Sequence, residues 1–455
     1  MLDMIGVGPF ITLPLLLGAM GGPQAMLGWI FGALLALADG LVWAELAAMM
    51  PEAGGSYRFL REMFPGGVGK FLAFLFCFQL MFSAPLSMAS GCIGLAQYAG
   101  YLLPGLRGHT WVWGRLVAGP ATAVAVGCVV AVTVLLYRRL AQLRVISYAL
   151  WGAVIVTIGW VLVTGVAFGH WSLVTAVPPS AFHLNGAFFA GLATAMLIAT
   201  YDFWGYYNVA FLAGEVRDAA RNVPRAILLS IGIVGVLYIA MNTALLALVP
   251  WQVQLGAHDL NAREALVSYV MESVYGARFG AGAGVWAGRA AALLVMVTAF
   301  GSVFSLLLGY SRIPFAAARD GNFFSAFGKL HPRGGFPYVS LLTLAGAAVL
   351  FCFLSLGEVI AALVVLRIVV QFLLQHVGVM VLRRTQPERV RPFRMWLYPL
   401  PPLLALSGFV YILVARTNSA RQLWMAAGVV VLGAAAYVLR GRFFQWSERI
   451  RTRVF

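Results

Sequence analysis

Residues 201–226 read YDFWGYYNVAFLAGEVRDAARNVPRA. The run before them, Gly186–Thr200, is apolar enough to enter a bilayer. Asp202 then falls in the middle of the span, beside Trp204, Gly205, Tyr206, Tyr207 and Asn208. A helix can resume at Val209–Ala213 before the charged segment with Glu215, Arg217, Asp218 and Arg221. A lone carboxylate at mid-membrane costs roughly 2.5–3.5 kcal/mol on insertion scales unless it faces protein or water. A glycine among bulky aromatics weakens a helix, and freed backbone groups are tolerated only where they line a cavity. The stretch therefore reads as one half of a binding site inside a membrane. The competing expectation is a kinked, continuous helix with a polar inner face.

Composition supports the membrane setting. The chain has 455 residues, 62% of them hydrophobic and 10% charged, with a mean hydropathy of +0.90. A soluble domain of this size does not carry so much apolar surface, so the expectation is an all-α polytopic membrane protein. The formal net charge of +16 would suggest nucleic acid in a soluble protein. Here basic loops on one membrane face account for it, and no nucleic-acid partner is expected. The four cysteines, Cys77, Cys92, Cys128 and Cys352, lie in apolar runs with no metal-ligand spacing. The six histidines are scattered. Neither pattern suggests a metal, a cofactor or a disulfide framework.

The first span, Leu2–Met20, has no signal-peptide-like basic segment ahead of it. Its run IGVGPFITLP places Gly6, Gly8, Pro9 and Pro14 within ten residues. Pro9 removes a backbone donor and the glycines weaken the turn before it, so a broken helix is expected, with non-helical backbone at Ile5–Pro9 and Tyr201–Tyr206. A kinked span, or a sequence that starts at an internal methionine, is the alternative. The following apolar runs lie near 25–50, 68–103, 117–137, 145–168, 186–213, 226–250, 287–316, 338–356, 358–382, 396–415 and 423–440. With the first they make about twelve transmembrane helices in a single transporter domain, 1–455. The largest loop, Trp251–Trp286, is expected to hold a short surface helix over Asn261–Tyr275.

Arginine placement sets the orientation. Segments on one side hold Arg58, Arg61, Arg138, Arg139, Arg144 and Arg217, and further arginines to Arg453. The other side holds only Arg107, Arg115, Arg263, Arg278, Arg289, Arg416 and Arg421. The positive-inside bias places both termini in the cytoplasm, in the plasma (cytoplasmic) membrane, the inner membrane of a cell with two. The glycine interruptions fall in spans one and six. Matched interruptions in two halves are the sequence mark of a transporter built from inverted repeats. The halves are about 1–168 and 186–382, a 5+5 arrangement with broken helices 1 and 6, followed by two extra helices at about 396–440.

Five stretches resemble one family. They are IGVGPF (Ile5–Phe10), AELAAMMPEAGGSYRFLREMFP (Ala44–Pro65), GEVRDAARNVPRA (Gly214–Ala226), SRIPFAAARDGNFFSAFGKLHP (Ser311–Pro332) and RPFRMWLYP (Arg391–Pro399). They are similar to the glycine-rich first helix, the helix 2–3 loop, the exits of helices 6 and 8, and the approach to helix 11 of amino acid–polyamine–organocation superfamily permeases. That resemblance implies the leucine-transporter-like inverted-repeat fold and secondary active transport of an amino acid by alternating access. It implies a substrate site at Ile5, Gly6, Val7, Gly8, Tyr201, Asp202, Trp204 and Gly205. The substrate carboxylate would meet the N–H groups of Gly6, Val7 and Gly8. The amine would meet carbonyls near Ile5, Tyr201 and Trp204, and the Tyr201 ring would close over the site from outside. The chain departs from the family pattern at Val7, where a serine is usual, and in the aromatic, acidic YDFWGYYN of helix 6. A proton-coupling lysine of some members has no counterpart in Arg144–Phe168, where Trp151 aligns with it.

Six further residues are gating or coupling candidates. Glu45 belongs to the AEL of helix 2 and is expected to pair with arginines of the cytoplasmic gate. Asp39 lies deeper in the same helix, as a proton site or a paired carboxylate. Glu215 sits at the exit of helix 6. Arg367 is a basic residue deep in a span, where a charge requires a partner. Asp39, Asp202 and Glu358 are its candidate partners, and Gln371 and Gln375 continue its helix face. Ser302 and Ser305 in helix 8 suit packing better than a sodium site. The expected coupling species is therefore a proton or an exchanged amino acid, ahead of sodium. A polyamine or cationic amino acid carrier is the alternative, motivated by Asp202. An integral membrane enzyme lacks the nucleophile, metal cluster or paired acids it would need, and a membrane sensor without transport is the remaining, less favoured alternative.

Overall fold

The computed structural model describes residues 4–454, apart from 53, 109, 138–142, 256–259 and 417–418; side chains at 143–149, 215 and 441–454 lie outside the description. Arg138, Arg139 and Arg144 therefore fall outside it, as does the side chain of Glu215.

The chain is nearly all helical. Span one is divided into α1 (Gly8–Ile11) and α2 (Leu13–Met20). Then follow α3 (Met26–Met49), α4 (Ser56–Met63), α5 (Gly66–Leu102), α6 (Pro120–Tyr137) and α7 (Leu143–Phe168). Span six is α8 (Gly186–Phe203) and α9 (Asn208–Phe211). After it come α10 (Ala219–Leu248), the short α11 (Trp251–Leu255) and α12 (Leu260–Glu264), and α13 (Leu266–Phe279). The last third holds α14 (Ala281–Tyr310), α15 (Arg312–Arg319), α16 (Tyr338–Phe351) and α17 (Leu356–Arg367). A π-helical turn, Ile368–Phe372, joins α17 to α18 (Leu373–Thr385), and α19 (Leu400–Val414) and α20 (Ser419–Val454) close the chain. Among the described residues, nine helices are long and apolar enough to cross a bilayer, and Tyr338–Phe351 and Leu400–Val414 are shorter apolar helices.

Local chemistry sets several boundaries. The Asn185 side chain accepts from Phe188 N at 2.9 Å and caps α8. The Ser355 hydroxyl accepts from Glu358 N at 3.4 Å and caps α17; each cap satisfies a donor that the first helical turn leaves open. Pro9 lies in the first turn of α1, where a missing N–H costs nothing.

Four expectations need correction. The non-helical stretch described in span one, Met4–Val7, ends before Gly8 and Pro9, which already belong to α1. The break in span six is Trp204–Tyr207, because Tyr201, Asp202 and Phe203 complete the last turn of α8. The 251–286 loop holds three helices, α11, α12 and α13, and α13 is more than a surface helix: Leu266, Val267, Val270 and Met271 are fully buried against its neighbours, while Ser273 and Ala277 are exposed. The all-α expectation misses a two-stranded antiparallel ribbon, Trp111–Trp113 with Leu116–Ala118. Its tryptophans Trp111 and Trp113 are exposed, the placement expected at a membrane interface.

Packing relies on close backbone approach, as it must where lipid removes the hydrophobic drive between helices. A Cβ on Gly28 of α3 would lie 2.6 Å from the Ala195 Cβ of α8, and one on Gly32 would lie 2.8 Å from the Ala199 Cβ. Next to this seam Trp29 is buried edge-on between Phe203 and Tyr238, at 5.6 and 5.4 Å between ring centroids. The core helices α3, α5, α10 and α14 pack against the two broken spans.

Candidate functional site

Both breaks border one buried cavity of about 50 Å³. Helix 1 contributes Met4, Gly6, Val7 and Gly8; the end of α8 and its break contribute Tyr201, Asp202, Trp204 and Gly205. The opposite wall is Ser87 and Gly91 of α5, Ser302, Leu306 and Tyr310 of α14, and Leu363 and Arg367 of α17.

The breaks are held by side chains from neighbouring helices. The Tyr238 hydroxyl of α10 donates to Met4 O at 2.5 Å, and the Tyr98 hydroxyl of α5 donates to Phe10 O at 2.9 Å. The first backbone bond after the break runs from Phe10 N to Val7 O at 3.1 Å. Gly205 has φ +121°, a conformation open to glycine and strained for other residues. Gly8 is required for a different reason: a Cβ there would sit 1.9 Å from Asp202 Oδ1.

Asp202 is 3% exposed. The Thr12 hydroxyl, between α1 and α2, donates to its Oδ2 at 2.6 Å. Its Oδ1 has no hydrogen-bond partner among the described residues and faces Gly8. A buried carboxylate oxygen in that position is an acceptor waiting for a donor or a cation. The Tyr201 hydroxyl reaches across to α5 and donates to Ser90 Oγ at 2.9 Å.

Arg367 lines the far wall. Its Nη1 donates to the Tyr207 hydroxyl at 2.7 Å and its Nη2 to Ser87 Oγ at 3.0 Å. The guanidinium also lies 5.5 Å from the Trp204 ring centre and 5.1 Å from that of Tyr310, within cation–π range. The contacts seen here are hydroxyls and rings, while the three carboxylates expected as its partners each meet other groups. Asp202 is engaged by Thr12. Glu358 meets Arg115 at 2.7 Å and Arg421 at 3.3 Å near the ribbon. Asp39 lies outside the cavity against Tyr206 and His376.

The remaining candidates divide. Ser302 lines the cavity, with Oγ 2.7 Å from where a Cβ on Gly6 would stand. Ser305 does not line it. Gln371 and Gln375 leave the cavity face and meet Ser56, which accepts from Gln371 Nε2 at 3.1 Å and donates to Gln375 Oε1 at 2.8 Å. Trp151 is 41% exposed and faces away from the core. Thr12, Ser87, Gly91, Tyr238 and Tyr310 escaped the sequence reading. The signal for the α5 pair was present in SAPLSMASG, a run of small residues around Pro85.

The arginine-rich end is closed by ion pairs. Glu45 is buried, and Arg383 Nε donates to its Oε1 at 2.8 Å while Met395 N donates to its Oε2 at 2.8 Å. Arg391 Nε lies 3.6 Å from the same carboxylate. Arg61 meets Asp320 at 2.7 Å. Burial, with Cys77 and Asp320 adding to it, pushes the Tyr57 hydroxyl above its ordinary value, so Tyr57 stays a neutral donor to Asp320 at 3.3 Å. Between this end and the cavity stands an aromatic plug. Trp43 stacks on Tyr207 at 4.8 Å, and Trp204 stacks on Phe372 at 4.8 Å.

Comparison with known proteins agrees with this geometry. A family model described as amino acid permease matches residues 1–435. The serine/threonine exchanger SteT of Bacillus subtilis (strain 168) is 26% identical over 419 residues, covering 90% of this chain and 87% of the relative. The branched-chain amino acid permease BcaP of the same organism is 25% identical over 451 residues, with 94% and 90% covered. The Asc-type amino acid transporter 1 of Mus musculus is 24% identical over 453 residues, with 97% and 79% covered. A multi-pass membrane protein with two interrupted spans around one polar cavity, matched over nearly its whole length by that model, this chain belongs to the amino acid permease family.

Proposed function

We propose that the protein carries a small amino acid across the membrane by alternating access, with the substrate held between the breaks of helices 1 and 6. The observation that carries this is the position of Asp202: its Oδ1 is buried, lacks a hydrogen-bond partner among the described residues and lies against Gly8 at the cavity wall. An α-ammonium group placed there meets a carboxylate and the carbonyls that end α8. The α-carboxylate then meets the N–H groups of Gly6, Val7 and Gly8, which precede the first intrahelical bond, at the positive end of the helix.

Size narrows the substrate. At about 10–15 Å³ per water, a cavity of about 50 Å³ holds only a few waters. That suits a side chain such as those of alanine or serine better than an aromatic one. Coupling to a proton or to a counter-moving amino acid fits the buried polar groups. The two halves, about 1–168 and 186–382, act as inverted repeats, with α19 and α20 as the additional helices. The ion-paired end carrying Glu45 is then the cytoplasmic gate, closed here, with both termini on that side. Asp202 also supports a second reading, a carrier for cationic amino acids or polyamines.

The test is counterflow with purified protein in liposomes. Preloaded L-serine or L-alanine should accelerate entry of labelled L-serine, whereas putrescine and L-arginine should not. Acceleration by the two cationic compounds alone would favour the second reading, and no exchange with any of the four would reject both.

A further inference from the structure

A buried imidazole and a buried carboxylate face each other outside the cavity. Asp39 of α3 and His376 of α18 have no exposed surface, and His376 Nε2 lies 3.2 Å from Asp39 Oδ1. The other ring nitrogen fixes the tautomer. Nδ1 lies 2.6 Å from the carbonyl oxygen of Phe372, and a carbonyl only accepts, so Nδ1 carries a hydrogen and donates it. In a neutral ring Nε2 then presents a lone pair, and Oδ1 presents another. Neither atom has a different hydrogen-bond partner among the described residues. Asp39 cannot readily turn away, because its Oδ2 accepts from the Tyr206 hydroxyl. Two facing lone pairs repel strongly where water is excluded, and a single proton between them converts the repulsion into a bond.

We infer that Asp39 and His376 together form a binding site for the coupling proton of this permease, an inference that rests on the transport reading above. Loading places one proton on the pair; unloading restores the two facing lone pairs. Both states bear on the cavity through the backbone. Tyr206 belongs to the break in span six, next to Gly205 and Trp204 of the cavity wall. Phe372, whose carbonyl holds the ring, ends the π turn that begins just after Arg367, and its own ring stacks on Trp204. A change of charge at the pair thus pulls on both walls of the substrate site.

The surrounding elements leave the pair isolated from other charges. The break in span six brings Tyr206 and Tyr207, and α17 brings Arg367, bonded to Tyr207 and Ser87. Titratable groups on the other packed helices are engaged elsewhere: Asp202 on α8 with Thr12, Tyr238 on α10 with Met4 O, Tyr411 on α19 with Phe189 O, and on α4 Arg58 with Glu52 and both Tyr57 and Arg61 with Asp320. On the pair's own helices, Glu45 and Arg383 bond each other nearer the arginine-rich end. Among the described residues none of these except Tyr206 forms a hydrogen bond or ion pair with Asp39 or His376.

The experiment uses the full-length protein in liposomes and in detergent. L-serine counterflow at equal pH reads transport, and L-serine uptake driven by an inward proton gradient reads coupling. Nitrogen-15 NMR of the His376 ring, identified by its loss in His376→Gln, reads the proton itself. One proton moving with each substrate lets a gradient of about one pH unit concentrate L-serine about tenfold in the parent. Asp39→Asn places an amide N–H where the proton would sit, so the site stays satisfied and the protein folds. This variant and His376→Gln should lose the gradient-driven accumulation while keeping counterflow. Tyr206→Phe should keep the ring titration and weaken the accumulation. Gradient-driven accumulation that survives in Asp39→Asn overturns the proposal, as does counterflow in the parent with no response to the gradient. So does a ring Nε2 that keeps one protonation state when the buffer is taken from acid to alkaline. If L-serine shows no counterflow in the parent, the transport reading fails for that substrate, and the ring measurement alone then decides whether the pair binds an exchangeable proton.

Discussion

The two breaks face one cavity but are built from opposite materials. Helix 1 opens at Ile5–Val7 with little side chain toward the cavity, and neighbouring hydroxyls hold it by its carbonyls, Tyr238 on Met4 and Tyr98 on Phe10. Helix 6 opens at Trp204–Tyr207 with three aromatic side chains, each engaged elsewhere: Trp204 on Phe372, Tyr206 on Asp39, Tyr207 on Arg367 and Trp43. The first break offers backbone, and its geometry is imposed from outside. The second offers side chains, and it reaches out to the gate, the buried acid and the π turn. Helix 1 is therefore suited to grip a substrate, and helix 6 to report that it is there.

The contrast can be broken most forcefully at Gly8. Gly8→Leu should abolish L-serine binding, a loss beyond about 100-fold, since about 2.7 kcal/mol suffices for that factor and even a Cβ would overlap Asp202 Oδ1. Scintillation proximity binding on purified protein checks it, and near-parent affinity would remove helix 1 from the site. On the helix 6 side, Gly205→Ala should cost about 1–3 kcal/mol of stability by forcing a side chain into strained backbone, read as a lower melting temperature in detergent. Thr12→Val removes the one hydroxyl that links the two broken spans through Asp202 Oδ2. It should cost about 1.5–3 kcal/mol, the range for hydrogen bonds to charged groups, with a larger effect on affinity than on gradient coupling. A double-mutant cycle between Asp202→Asn and Arg367→Gln should give a coupling energy below about 0.5 kcal/mol, because Thr12 holds Asp202 while Tyr207 and Ser87 hold Arg367. A value of several kcal/mol would restore the direct pairing expected from sequence. Tyr201→Phe loses only the bond to Ser90, about 1 kcal/mol, and should keep most L-serine uptake, whereas Tyr201→Ala should lose it.

Sequence patterns carried the membrane class and the interrupted spans, because a glycine among aromatics and a carboxylate in an apolar run are local anomalies; Ile5, expected in the site, is not among the residues that line the cavity. The break in helix 6 was expected one turn too early. Gly205 was visible, but the φ that places the break after Phe203 is a property of the folded backbone. The partners of Arg367 were not legible, since a buried guanidinium can be satisfied by hydroxyls and rings as well as by carboxylates, and Ser87, Tyr207 and Tyr310 come from three distant stretches. His376 offered no signal at all. A single histidine in an apolar helix says nothing until the fold puts Asp39 against it.

The helix Leu266–Phe279 has one more consequence. Val267 N donates to the Tyr98 hydroxyl at 3.3 Å, and the same hydroxyl donates to Phe10 O of helix 1. Further along, the Tyr275 hydroxyl accepts from Trp160 Nε1 of α7 at 2.8 Å. The outer face of this helix stays open at Ser273 and Ala277. It is thus a handle on the internal machinery that is open at the protein's surface. A fluorophore on Ser273 would register each rearrangement of helix 1 without entering the cavity. An antibody fragment that clamps the same face would stall the cycle while leaving the substrate site vacant.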